Sequence, residues 1–112
     1  MSNLKLVIGP DPVFRQKASP VDPIDAAALS NAREMLEILR LEKGVGIGAN
    51  MAGLLQRIIV IDLPNTEFEM PLTMFNPCIT ASSPETQIYE EASLSFPGVS
   101  AKIERPSEIT VQ

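Results

Sequence analysis

Apolar residues recur at helical spacing between Asp22 and Lys43 and predict one long helix over that range. The residues on its apolar stripe are Leu29, Ala32, Leu36 and Leu39, with Ala28 and Met35 beside them. The residues expected to face away are Asn31, Arg33, Glu34, Glu37 and Arg40. A Leu/Met stripe of this kind indicates packing against a core, and we expect the helix to be a structural element.

The two ends of this helix also carry sequence signals. Asp22 is a good N-cap, Pro23 suits the first helical position, and Asp25 places a carboxylate near the positive end of the helix dipole. Gly44 is expected to end the helix in the left-handed conformation that glycine adopts easily.

The rest of the chain reads mostly as short strands. The β-branched run Ile58–Ile61 predicts a strand buried on both faces. Further strand candidates are Leu72–Phe75, Ile79–Ser82, Thr86–Tyr89, Val99–Ile103 and Glu108–Val111. Ser83-Pro84-Glu85 predicts a hairpin turn between the second and third of these, and Pro64-Asn65-Thr66 predicts another turn. The pattern favours an α+β fold, with one long N-terminal helix packed against short, mostly antiparallel strands.

The N-terminal segment gives weaker signals. Leu4–Ile8 is a short apolar run that suits either an edge strand or an extended arm, and Val13–Ala18 has room for one helical turn. Gly9-Pro10-Asp11-Pro12 separates the two.

Length and charge limit the class of protein. The chain has 112 residues, enough for a single domain over 1–112, and its net charge of −5 argues against wide contact with nucleic acid. The sequence has no apolar run of about 18 residues and no signal-peptide core, so neither a membrane span nor secretion is expected. The one cysteine, Cys78, is expected to be a buried small apolar residue and fits a reducing, cytoplasmic location.

Histidine is absent, which removes the commonest general base and the commonest zinc ligand together. Ser93 or Ser95 would therefore lack a histidine base as a nucleophile. Glu90 and Glu91 would point to opposite faces of a strand, which favours a solvated pair or one buried glutamate with a partner. The glycines from Gly44 to Gly48 do not follow the spacing of a phosphate-binding loop.

Two motifs in the chain together resemble a known family. The segment from Gly44 to Met51, Gly-Val-Gly-Ile-Gly-Ala-Asn-Met, resembles the first signature of peptide deformylases, G-x-G-(aliphatic)-A-A-x-Q. The segment Glu91-Ala92-Ser93-Leu94-Ser95 resembles their second signature, E-G-C-L-S. The flanking segments that agree with the family are Pro10–Arg15, Arg57–Val60, Phe96–Gly98 and Ala101–Pro106. The family's third signature, His-Glu-x-x-His, is not present, so the resemblance implies a domain that is incomplete at its C-terminal end.

The resemblance also implies roles for particular positions. In the family, the cysteine of the second signature and two histidines hold Fe(II) or Zn(II), and the glutamine of the first signature stabilises the oxyanion. Here Ser93 stands at the cysteine position and Met51 at the glutamine position, so we expect no cofactor in the chain as written. The backbone N–H of Leu94 remains as an oxyanion donor. The backbone of Val45, Gly46 and Ile47 remains to pair with a bound peptide, because backbone groups do not depend on side-chain identity.

Three interpretations remain open at this point. The first is an active metal-dependent deformylase with altered ligands. The second is a non-catalytic protein that binds N-terminal peptides of nascent chains or serves in an assembly. The third is a fragment without function of its own. The metal content, formyl-peptide hydrolysis and intact mass distinguish them. In the family, the third-signature helix covers apolar surface, which here would include Ile58–Ile61 and the inner face of the Leu29–Leu39 helix. Without it, we expect self-association or a partner.

Overall fold

The long helix, α1, runs from Ala26 to Leu41 in the computed structural model, which describes residues 4–63 and 70–112. Its N-cap is Asp25, whose side chain accepts a hydrogen bond from the Ala28 N–H at 3.0 Å. The prediction that Asp22 caps the helix is therefore wrong. Asp22 and Pro23 lie before the helix because the later aspartate satisfies the first free N–H groups.

The C-terminal end of α1 closes differently from the prediction as well. The Gly44 N–H donates to the Leu39 carbonyl at 3.0 Å and the Lys43 N–H donates to the Arg40 carbonyl at 3.2 Å, which is the Schellman pattern. Lys43, with φ 57°, takes the left-handed position that was expected for Gly44. Gly44 is needed for close packing, since a Cβ there would lie 2.7 Å from Leu94 Cδ1.

The strands form antiparallel pairs, as the α+β prediction requires. They are β1 (Gly46–Gly48), β2 (Ile58–Ile61), β3 (Leu72–Phe75), β4 (Ile79–Ser82), β5 (Thr86–Ser93), β6 (Phe96–Pro106) and β7 (Ile109–Val111). In the described part of the chain they make a three-stranded sheet in the order β1-β2-β3, a β4-β7 pair and a β5-β6 pair. The strands predicted after Ile61 are confirmed in position.

The hairpin predicted between β4 and β5 is wrong, because each strand pairs with a later one. The connection between them bonds instead to the connection between β6 and β7. The Ser83 N–H donates to the Glu108 carbonyl at 2.8 Å, and the Ser107 N–H donates to the Glu85 carbonyl at 2.9 Å. Two chain segments therefore pass side by side from one pair of strands to the other.

The core lies between α1 and one face of the three-stranded sheet. The buried residues of α1 are Ala28, Ala32, Met35 and Leu39, and those facing them include Ile47, Ile58 and Val60. Leu29, expected on the buried stripe, is 46% exposed because the stripe is centred on Ala28 and Met35. The β2 strand is buried on one face only: Ile59 is 36% exposed, which corrects the prediction for Ile58–Ile61.

Of the two alternatives predicted for Leu4–Ile8, the structure shows the extended arm, because this segment does not pair as a strand. It bonds to both predicted motifs. The Val7 N–H donates to the Met51 carbonyl at 2.8 Å, and the Gly9 N–H donates to the Ser95 carbonyl at 2.7 Å. The helical turn that follows is a 3-10 helix, Pro12–Arg15.

Three smaller points complete the comparison with the sequence. The turn predicted at Pro64-Asn65-Thr66 lies outside the described residues. Cys78 is exposed rather than buried, because it lies at the start of the β4-β7 pair, where its backbone bonds to Gln112. Among the described helices, none has the length and apolar character to cross a membrane.

Candidate functional site

The two motifs meet at one cavity of about 400 Å³. Its lining residues are Lys43, Gly44, Val45, Gly46, Met51, Ala92, Ser93 and Leu94. The fold therefore brings together Met51, Ser93, Leu94, Val45 and Gly46, which the sequence had suggested. The Ile47 side chain is 2% exposed and belongs to the core, and Ile47 is not among the residues that line the cavity.

The β1 strand forms one wall of the cavity and is the edge of its sheet. The Asp62 N–H donates to the Val45 carbonyl at 2.9 Å, and Ile47 is the register partner of Val60. In an antiparallel ladder, residues alternate between facing the partner strand and facing away from it. The Val45 carbonyl and the backbone of Ile47 are therefore directed toward β2, and Gly46 directs its N–H and C=O to the open edge.

Met51 reaches the same edge from the 3-10 helix Ala49–Ala52, which follows β1 directly. Its sulfur lies 3.4 Å from the Gly48 nitrogen and accepts the Gly48 N–H. A thioether has no hydrogen to donate, so Met51 offers nothing to a negatively charged oxygen in the cavity. The N-terminal arm fixes the Met51 backbone through Val7.

Ser93 and Leu94 lie at the tip of the β5-β6 hairpin. The chain turns through Leu94 and Ser95, and Ser93 is the register partner of Phe96. The Ser93 hydroxyl oxygen accepts the Ser95 N–H at 3.2 Å, so it already has a backbone partner. The Ser95 side chain is fully buried.

Glu91 is held in an ion pair behind the cavity. Arg105 donates to both of its carboxylate oxygens, at 2.5 and 2.6 Å. The Arg105 hydrogen bonds lower the pKa of Glu91, and partial desolvation opposes this effect. Glu90 faces the other way and accepts a hydrogen bond from Ser100. Glu91 has a partner but is only half-buried, and the exposed Glu90 has a partner too, so neither predicted alternative, a solvated pair or one buried glutamate with a partner, is found.

Sequence reasoning did not find Arg105 as that partner, nor Lys43 as a residue of the cavity wall. Arg105 is fourteen positions from Glu91 and becomes its neighbour only through the register of β5 with β6. The ladder places Glu91 opposite Ala101, so the long Arg105 side chain must reach diagonally along the sheet. No local motif in the sequence could have indicated this contact.

The residues at the cavity do not fit a ferrous or zinc ion. Within residues 4–63 and 70–112, no three Asp, Glu, Cys or His side chains are grouped as ligands. Among the lining residues, Ser93 offers a hydroxyl, which stays protonated near neutral pH and is a poor ligand for these ions. Cys78 does not line the cavity.

Comparison with known proteins gives a consistent result. The family model described as polypeptide deformylase matches residues 3–112. The chain is 40% identical over 108 residues to a peptide deformylase-like protein of Rickettsia conorii, covering 96% of this chain and 59% of the relative. It is 42% identical over 108 residues to a peptide deformylase of Rhizobium meliloti, covering 96% and 62%. The chain thus spans about three-fifths of the length of these curated relatives.

Solved structures agree with the sequence relatives. A peptide deformylase from Thermotoga maritima superposes with a TM-score of 0.90 at 34% identity, over 99% of this chain and 73% of that one. A peptide deformylase from Ehrlichia chaffeensis in complex with actinonin gives 0.92 at 31% identity, over 100% and 68%. These similarities support the fold and the family together.

Proposed function

The chain belongs to the polypeptide deformylase family, and we propose that its 112 residues hold an extended peptide against the open edge of β1 without hydrolysing it. The observation that carries this proposal is the division within the cavity. The backbone edge at Gly46 is open, whereas the side chains at Met51 and Ser93 cannot supply the family's chemistry. A peptide added as a further strand needs the open backbone edge and does not need catalytic side chains.

Two side chains account for the expected loss of hydrolysis. Met51 supplies no oxyanion donor, and the loss of one such donor typically lowers the rate by about a hundredfold or more. Ser93 supplies no thiolate to a metal. The backbone N–H of Leu94 is retained at the same cavity, but one donor does not replace a metal ligand set and a general base.

The expected ligand is the N-terminal part of a polypeptide in extended form. Backbone groups of Gly46 provide its main-chain hydrogen bonds, and the largely apolar lining accepts an apolar first side chain. The side chains that would line such a pocket include Val45, Met51 and Leu94.

Peptide binding is tested with the 112-residue chain and formyl-Met-Ala-Ser, measured by calorimetry. Gly46→Pro removes the N–H at the open edge, a place where proline is tolerated in sheets. Gly46→Ala keeps that N–H and is the matched control. We expect Gly46→Pro to lower the affinity at least severalfold more than Gly46→Ala does, while thermal melting shows that both variants fold. Equal affinities for the two folded variants contradict strand addition at Gly46.

The absence of catalysis is tested by formate release from the same peptide. We expect none above background from the wild type, nor from the Met51→Gln, Ser93→Cys double variant, with iron, zinc or nickel added. The double variant rebuilds one oxyanion donor and one metal ligand but supplies neither histidine nor the base. Formate release, or one tightly held metal ion per chain by elemental analysis, refutes this part of the proposal.

The apolar surface expected to lie bare is mostly buried, since the inner face of α1 packs against Ile58 and Val60 in the core. A second proposal therefore concerns the opposite face of the sheet. Ile59 and Leu72 lie on that face and are 36% and 42% exposed, next to the bare glycines of β1. We propose that the 112-residue chain self-associates through this face, because exposed apolar sheet surface beside an open edge favours pairing. Sedimentation at increasing concentration measures it, and Ile59→Lys should lower the association. A wild-type chain that stays monomeric over the full concentration range contradicts the proposal.

A further inference from the structure

The open edge of β1 has two places at which an added strand would bond, and one of them already has a hydrogen-bond partner within the chain. The alternation of the ladder directs the backbone of Gly46 and that of Gly48 to this edge. At Gly48 the N–H already has an acceptor, the Met51 sulfur at 3.4 Å. Met51 also lines the cavity beside Gly46, so its side chain lies along the path of an added strand.

The position of Met51 follows from local structure. Gly48 is the N-cap of the 3-10 helix Ala49–Ala52, and Met51 is its third residue. A side chain at the third position commonly reaches back to the N–H of the N-cap residue, as glutamate or glutamine does in a capping box. Two backbone hydrogen bonds hold the 3-10 turn, from Gly53 to Asn50 at 3.1 Å and from Leu54 to Ala49 at 3.0 Å. The backbone of the 3-10 turn therefore places the methionine side chain next to the Gly48 N–H.

We propose that Met51 is a positioning residue that ends an added peptide strand at Gly46 and keeps it from pairing with Gly48. This inference rests on the proposed peptide binding at β1 and adds a limit to it. The site then accepts a chain terminus, which stops at the thioether, rather than a strand that runs through. A strand that continued would have to place a carbonyl on the Gly48 N–H and displace the sulfur.

The ligand class follows from the same contact. The end of the cavity at Met51 is apolar and has no carboxylate among its lining residues to pair with a charged amine. Burying an unpaired charge is costly, so a peptide whose terminus is neutral fits better than one with a free ammonium group. A thioether is a weak acceptor on a flexible side chain, which is why removal of Met51 should lengthen the paired region without other changes to the edge.

The test uses the 112-residue chain labelled with nitrogen-15 and amide exchange measured at Gly46 and Gly48. The probe is an acetylated, amidated hexapeptide of alternating threonine and valine, long enough to pass both positions. In the wild type we expect saturating probe to slow exchange at Gly46 by about tenfold, the factor for ~1.4 kcal/mol of added protection. We expect no slowing at Gly48. In Met51→Ala, the probe should slow exchange at both positions.

Met51→Leu is the matched control, because it keeps the apolar volume and removes only the acceptor. Without probe, Gly48 should exchange faster in Met51→Leu than in the wild type, and with probe it should remain unprotected. If Met51→Ala fails to fold, the wild-type result at Gly48 still decides the proposal, because slowing of exchange there overturns it.

The outcomes separate the two proposals. Slowing at both glycines in the wild type overturns the role of Met51 but leaves strand addition intact. Slowing at Gly46 alone in Met51→Ala likewise shows that something other than Met51 ends the strand. Slowing at neither glycine in any folded variant refutes peptide addition at β1, and the role of Met51 with it.

Discussion

Gly44→Ala adds one methyl group at the junction between α1 and the β5-β6 hairpin tip. A Cβ at this position would lie 2.7 Å from Leu94 Cδ1 and 2.9 Å from Leu39 Cδ1. Leu39 is fully buried in the core and has no room to move away, so the strain must be relieved mainly at Leu94 or at the chain between them. The backbone of Gly44 keeps its hydrogen bond to Leu39, because alanine retains the N–H.

The expected loss of stability follows from overpacking rather than from backbone strain. Gly44 does not have a positive φ, since Lys43 takes the left-handed position of the turn. Forcing an extra methyl group into a packed site typically costs about 1–3 kcal/mol. At roughly 4 °C per kcal/mol for a domain of this size, we expect the Tm to fall by about 4–12 °C.

Gly46→Ala is the matched control, two residues along the same segment. The nearest atom to its added Cβ is the Val60 carbonyl oxygen at 3.9 Å, an ordinary van der Waals contact. Its free energy of unfolding should change by less than about 0.5 kcal/mol. Thermal and urea melting of both variants measure the difference, and equal midpoints for the two would refute the packing argument.

A double-variant cycle locates the clash. Leu94→Ala removes the Cδ1 atom that the new methyl group meets, so Gly44→Ala should be less costly in the Leu94→Ala background than in the wild type. If the stability costs of Gly44→Ala and Leu94→Ala simply add, the new methyl group does not clash with the Leu94 side chain. Because a methyl group added at Gly44 meets the Leu94 side chain and one added at Gly46 does not, the amide resonance of Leu94 should shift in Gly44→Ala and not in Gly46→Ala.

Three further predictions concern the ends of α1 and the ion pair. Asp25→Ala should lower the free energy of unfolding by about 0.5–2 kcal/mol through loss of the N-cap, while Asp22→Ala, its control, should have little effect in the same urea titration. Lys43→Gly should raise that free energy by roughly 0.5–1 kcal/mol, because glycine adopts φ 57° without strain; a lower midpoint would contradict this. Because Arg105 lowers the pKa of Glu91, the stabilisation from Glu91 is present above its ordinary pKa of 4.5 and is lost as the pH falls below it. The Tm difference between wild type and Glu91→Gln should therefore narrow below about pH 4.5, and a constant difference from pH 6 to pH 3 would argue against the pairing.

The sequence predicted elements better than it predicted their partners. β-branched and alternating runs define strands locally, and β2 and β3 appear where they were expected. Pairing depends on chain crossings that no local pattern records, and the proline turn at Pro84 gave no sign that its flanking strands part. The helix start was misplaced because both Asp22 and Asp25 are good caps, and Pro23 favoured the earlier one.

The candidate site was predicted in its parts but not in its geometry. The two motifs indicated Met51 and Ser93, and the fold brings both to one cavity. The sequence could not show that Ile47 turns its side chain into the core, since that depends on the register with Val60. Nor could it show that a sulfur takes the Gly48 N–H, which requires the exact course of a short 3-10 helix.

The geometry of the open edge of β1 is determined by residues other than Met51 and Ser93. Ile47 is 2% exposed and packs in the core between α1 and β2, so core packing fixes the orientation of β1. Alternation along the strand then directs the Gly46 backbone outward, whatever side chains stand at 51 and 93. A change in the side chain of Met51 or Ser93 therefore leaves the open edge of β1 in place. We therefore expect peptide binding to be separable from hydrolysis in this fold, because strand addition relies on the core-anchored backbone and hydrolysis relies on side chains.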